Sequence, residues 1–139
     1  MDRASGYRLD DQIGYLLRRV TQRHLAIFSA RIPRVTTTQW AVLARLLELG
    51  PLSQNHLGRE TAMDAATIKG VVDRLSREGL VETRADPTDR RRLIVALTDE
   101  GRSFCVDGLA QAAQVSSDTL DPLDEGERRQ LLALLARLV

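Results

Sequence analysis

The chain has 139 residues, 43% of them hydrophobic and 28% charged, which is one domain's length and an ordinary globular composition. One cysteine (Cys105) excludes a disulfide framework, and with two histidines it leaves little for a zinc site, so no metal or cofactor is expected. No apolar run approaches membrane-spanning length. The opening MDRASGYRLDD lacks the apolar core of a secretory signal, so a cytoplasmic location is expected.

Nineteen of the twenty basic residues are arginine, and Lys69 is the one lysine. The net charge of +1 conceals a polarity along the chain. Residues 1–34 hold seven Arg against three Asp, whereas residues 98–139 hold four Arg against eight acids. Opposite charge at the two ends favours contact between them within a fold or a dimer.

The spacing predicts a long first helix over roughly 9–32, with Ile13, Leu16, Leu17, Val20, His24, Ile27, Phe28 and Ile32 on one stripe. Pro33 is close to its stop. Thr36 and Gln39 have capping-box spacing and open a second helix that is apolar around most of its circumference. Ser53 caps a short helix over about 54–61. Asp64 caps another over about 65–78, with Ile68, Val71, Val72 and Leu75 facing inward and Gly79 at its end. Leu80 to Arg84 and Leu93 to Leu97 read as two strands of a hairpin, with the charged stretch Ala85 to Arg91 as an exposed turn between them. Thr98-Asp99-Glu100 opens a fifth helix, with Phe104, Cys105, Leu109, Ala112 and Val115 as its stripe. Asp124 with Glu127 caps a last helix, and Leu131 to Leu138 are too apolar for a solvated tail.

Two short helices and a charged hairpin are the parts of a winged helix-turn-helix, whose second helix enters the DNA major groove. The fold expected is mainly α with a small β-hairpin wing. Ala65, Ala66, Thr67, Lys69, Gly70 and Arg74 face away from the apolar stripe; they are small or can donate hydrogen bonds to base edges. Ser53 and Gln54, at the start of the preceding helix, join them as candidate DNA contacts. Arg90, Arg91 and Arg92 sit in or beside the hairpin turn, where arginine suits a narrow, electronegative minor groove. Asp89 is placed to orient Arg91 before DNA arrives.

The stretch DPTDRRRLIVALTDEG, preceded by TIKGVVDRLSREGLVE, resembles the wing and recognition helix of MarR-type transcriptional regulators. The likeness covers nearly the whole chain, read as a single domain 1–139. Residues 36–97 would form the winged core, and 9–32 and 98–139 the dimerisation helices. The resemblance implies a homodimer that binds a pseudo-palindromic operator and is released by a small ligand. The family's wing arginine matches Arg91, its aspartate partner Asp89, and its recognition contacts the stretch Ala65 to Arg74. Less specifically, RLDDQIGYLLRRVTQRHLAIF is similar to regulators of aromatic-acid and hydroxynicotinate-type catabolism.

His24 and Arg31 fall at the phase of the apolar stripe, so they either pair with acids of the negative C-terminal segment or meet an anion. With Arg18, Gln39 and Trp40 they make a candidate set for a planar aromatic carboxylate. Two rival readings stand beside the repressor. A protein–protein winged-helix module would carry an acidic or shortened wing, which Arg90-Arg91-Arg92 argue against. A cysteine-based redox regulator would resemble the family's peroxide sensors, but the cysteine they carry near the start of the first helix is missing here. Cys105 reads as a buried thiol. With no Gly-rich phosphate loop and no paired-carboxylate motif, the chain is not expected to be an enzyme.

Overall fold

The computed structural model describes residues 6–139, so the first five residues of the N-terminal reading lie outside it. A 3-10 turn at Leu9–Asp11 precedes α1 (Ile13–Arg31), and α1 starts four residues later than expected because Gln12 is extended, with φ −89° and ψ 132°. Thr36 caps α2 (Thr37–Leu49) by accepting the Gln39 backbone N–H, while the Gln39 side chain accepts the Thr36 N–H. Strand β1 (Leu52–Ser53) leads into α3 (Gln54–Glu60), and Asp64 caps α4 (Ala65–Arg77). The hairpin is β2 (Val81–Ala85) and β3 (Leu93–Leu97), and α5 (Asp99–Thr119) and α6 (Glu125–Ala136) complete the chain.

The three strands form one antiparallel sheet in the order β1-β3-β2. Val81 pairs with Leu97 and Ala85 with Leu93, while Leu52 pairs with Val95 on the other edge of β3. The two-residue β1 is absent from the sequence reading, because a strand that short has no periodicity of its own.

The chain gathers into two compact units, one of residues 32–110 and the other of the chain up to Arg31 with residues 111–139. The first half of α5 is therefore grouped with the winged core, not with the terminal helices. In the winged unit Val42, Leu43, Leu57, Ile68, Val72, Leu75 and Val95 are fully buried. Leu109, expected on the inner stripe of α5, is exposed.

The junction after α4 explains the spacing L-T-x-x-G. Gly79 has φ +76°, the Leu80 N–H bonds to the Leu75 carbonyl, and the Gly79 N–H bonds to that of Ser76. This is a Schellman ending, whose left-handed residue favours glycine. The Thr98 hydroxyl donates to the Gly79 carbonyl at 2.6 Å and accepts the Gly101 N–H at 3.0 Å. One threonine thereby ties the end of the fourth helix to the start of the fifth.

In the terminal unit, α1 does not bury its expected stripe within the single chain. Ile13, Leu16, Leu17 and Val20 are exposed, as are Leu132 and Leu134 of α6 and Leu138 just beyond it. Among the described residues no helix is long and apolar enough to cross a membrane.

Candidate nucleic-acid interface

Helix α4 has an inner and an outer face. Ile68, Val72 and Leu75 are buried, whereas Ala65, Ala66, Thr67, Lys69, Gly70 and Arg74 are all exposed, as their spacing requires. Asp64 fixes the helix start: its Oδ1 accepts the Thr67 N–H at 2.7 Å, and hydrogen bonds from Thr67 hold its carboxyl below the usual carboxylate range. Asp73 and Arg77, which the sequence reading left out, are exposed on the same helix.

The loop of residues 86–92 is organised by two aspartates. Asp86 Oδ1 accepts both the N–H and the hydroxyl of Thr88 at 2.9 Å, and these bonds keep its carboxyl below its ordinary range. Asp89 Oδ1 accepts the Arg91 N–H at 3.1 Å and lies 3.4 Å from Arg91 Nε, while its other oxygen lies 3.8 Å from Arg92 Nε. The carboxylate thus shapes the backbone of the tip and holds two guanidinium groups loosely; its grip on the Arg91 side chain is the weaker part. The Arg91 side chain is 94% exposed, and Arg90 is exposed too.

Arg91 and Arg92 line a cleft with Ser53, Gln54, Asn55 and Leu93, so the wing arginines and the start of α3 form one surface. Sequence reasoning missed Asn55 and its place beside Arg91 and Arg92, because that association depends on β1 pairing with β3. The Ser53 hydroxyl is engaged as a cap, accepting the His56 N–H at 3.2 Å.

The candidate effector residues fall in different places. Arg18 is exposed on α1. His24 is half-buried, its Nδ1 2.8 Å from the Thr119 hydroxyl. Arg31 Nε donates to Asp118 Oδ2 at 2.7 Å and its Nη1 donates to Gln111 Oε1 at 3.1 Å. Of the two alternatives left by the sequence, Arg31 takes the acidic partner. Hydrogen bonds from Gln114 and Arg31 hold the Asp118 carboxyl below its usual range. His24 also borders an apolar groove lined by Val20, Thr119, Leu131 and Leu135.

Gln39 and Trp40 belong to the winged unit. Gln39 is buried and its side chain serves the cap of α2. Trp40 meets Phe104 edge-on, with ring centroids 6.2 Å apart, and its six-membered ring lies against Gly108. Arg34 stands 5.1 Å over the Phe104 ring and pairs with Glu100 at 2.8 Å. Sequence reasoning overlooked this aromatic and cationic corner, because Phe104 is far from Trp40 in sequence. Cys105 is buried, and desolvation pushes its thiol up to about 11, which disfavours the reactive thiolate. Among the described residues no group of three or more His, Cys, Asp or Glu is placed to hold a metal ion.

Residues 35–92, which contain α2, α3, α4, β2 and the wing loop, match the model of the MarR family. Over 135 residues the chain is 40% identical to the HTH-type transcriptional repressor NicR of Pseudomonas putida, covering 96% of this chain and 85% of that one. The chain belongs to the MarR family. As a MarR-family transcriptional regulator it shares its fold with a probable transcriptional regulator from Pseudomonas aeruginosa, at 53% identity and a TM-score of 0.91. That match covers 95% of this chain and all of that one. BpsR of Bordetella bronchiseptica, whose DNA binding is regulated by 6-hydroxynicotinic acid, is 37% identical with a TM-score of 0.90. Here the match covers 95% of this chain and 96% of that one. The winged helix-turn-helix of α3, α4 and the hairpin is thus that of a family of transcriptional regulators.

Proposed function

We propose that this chain is a cytoplasmic homodimeric repressor that binds a pseudo-palindromic operator and is released by a small aromatic acid of the hydroxynicotinate type. The observation that carries the DNA part is the wing: three consecutive arginines on a loop held by Asp86 and Asp89, beside an outward-facing recognition helix. A gel shift with DNA flanking its own gene, repeated over a range of salt, tests this against the interaction-module reading. Binding that falls steeply with salt is expected, and a chain that shifts no duplex overturns the assignment.

Exposed leucines support the dimer. Leu17 is 44% and Leu132 56% exposed in the single chain, and burying one leucine is worth about 1.5–3 kcal/mol. Leu17→Glu and Leu132→Glu should each weaken association about tenfold or more while leaving the winged unit folded. Sedimentation should show twice the chain mass for the wild type and the chain mass for the variants. A variant that remained a dimer at micromolar concentration would argue against these helices as the interface.

The effector class rests on the nicotinate-related regulation of BpsR, on the name of NicR, and on Trp40 with Phe104 and Arg34. That corner offers aromatic faces and a cation to a planar carboxylate. Of the residues expected at this site, Trp40 stands in that corner, while Gln39 is engaged in the α2 cap and Arg31 with Asp118. Trp40 is the one tryptophan, so its emission reports on its surroundings without a label. Titration with 6-hydroxynicotinate should change that emission and weaken operator binding, with benzoate and salicylate as weaker analogues. A hundredfold loss of DNA affinity requires about 2.7 kcal/mol of preference for the non-binding state. No change in either signal at millimolar acid would remove the aromatic-acid reading.

A further inference from the structure

We propose that Asp73 is a specificity-determining residue of the recognition helix, which holds Lys69 back from phosphates that belong to the wrong sequence. The inference rests on the DNA-binding reading above and concerns how that surface discriminates.

Asp73 is the only acid in α4, and it is exposed. Its Oδ2 lies 2.8 Å from Lys69 Nζ, with the two side chains 51% and 66% exposed. Its position, one turn after Lys69 and Gly70 and two turns after Ala66, places it on the face opposite the buried Ile68, Val72 and Leu75. Arg77, one turn further on, directs its Nε to the Asp73 backbone carbonyl at 3.4 Å. A carboxylate therefore sits among the cations of the groove-facing surface.

An acid there lowers affinity for any duplex, since DNA carries a phosphate every few ångströms. Its benefit is discrimination. Non-specific binding comes almost wholly from cations on phosphates, so occupying Lys69 removes about one such contact from every sequence alike. On a matching sequence, guanine O6 and N7 offer the ammonium acceptors that a mismatched groove lacks. An ammonium has three donors, so Lys69 can reach the neutral guanine acceptors while still paired with Asp73, whereas an anionic phosphate in the same place is repelled by the carboxylate. The arrangement subtracts from wrong complexes more than from right ones, the kind of difference on which specificity depends.

The test compares two duplexes of equal length: one enriched by the wild-type protein from a random library, and one with the same bases shuffled. Asp73→Ala removes the charge without adding a donor, whereas asparagine could itself read adenine. The variant should bind the shuffled duplex about fivefold tighter, with a log–log salt slope steeper by about one for each recognition helix. Its affinity for the enriched duplex should change less than about twofold, so the ratio between the two falls. Asp73→Glu should behave as wild type, and in a Lys69→Met background the gain on shuffled DNA should shrink. Circular dichroism checks that each variant is folded. Equal gains on both duplexes, or no gain on the shuffled one, overturn the role of Asp73 while leaving the DNA-binding reading intact. A wild type that enriches no sequence overturns both.

Discussion

Arg91→Ala is expected to weaken operator binding by about ten- to a hundredfold and to make the salt slope shallower by about one unit for each wing. Nothing in the wing fold depends on this side chain: it is 94% exposed, and its one polar partner is Asp89 at 3.4 Å. Its loss should therefore leave stability unchanged while removing a cation from the groove. Asp89→Ala is the more telling variant. Simple charge counting says that removing an acid from a DNA-binding loop strengthens binding. The geometry says the opposite, because the Asp89 carboxylate accepts the Arg91 N–H and lies near the guanidiniums of both Arg91 and Arg92. Without it the tip loses the bond to the Arg91 N–H, and both arginines must be ordered at the moment of binding. A several-fold loss of affinity is expected, read by fluorescence anisotropy from low to moderate salt. Tighter binding by Asp89→Ala at every salt concentration would show that the carboxylate acts only as a negative charge.

Gly101→Ala should be the most destabilising single methyl addition in the winged unit. A Cβ at this position would overlap the Leu80 carbonyl oxygen and stand 2.8 Å from its carbon, both backbone atoms with no rotamer to change. Relief requires the start of α5 to move away from the turn that ends α4, which would break the Thr98 bonds to the Gly79 carbonyl and from the Gly101 N–H. Overpacking of this kind costs about 3 kcal/mol. The preference of helices for alanine over glycine, about 1 kcal/mol, acts in the other direction and is too small to compensate. Urea unfolding should show a lower midpoint with little change in slope. DNA binding should fall with it, because the strained turn at Gly79 and Leu80 joins the recognition helix to the wing. A variant as stable as wild type would mean that α5 can shift without strain.

What was legible in the sequence is what the chain settles over three or four residues. The caps Thr36 with Gln39, Ser53, Asp64, and Asp124 with Glu127 all form as their spacing indicates, since donor and acceptor lie within one turn of each other. The same holds for the outer face of α4, where helical periodicity alone decides which side chains point outward. The hairpin with its arginine-bearing turn was equally readable, because alternating strands and a seven-residue loop are contiguous in the chain. Tertiary structure decided whatever joins distant segments. Arg31 finds Asp118 across 87 residues and His24 finds Thr119 across 95, pairings that no local pattern encodes. Phe104 comes to Trp40 and Arg34 because α5 packs within the winged unit, and β1 exists because β3 offers it an edge. Gly101 shows the difference most plainly: its place in L-T-x-x-G was visible in the sequence, but the reason for it is a carbonyl twenty-one positions earlier, brought within reach by the turn at Gly79.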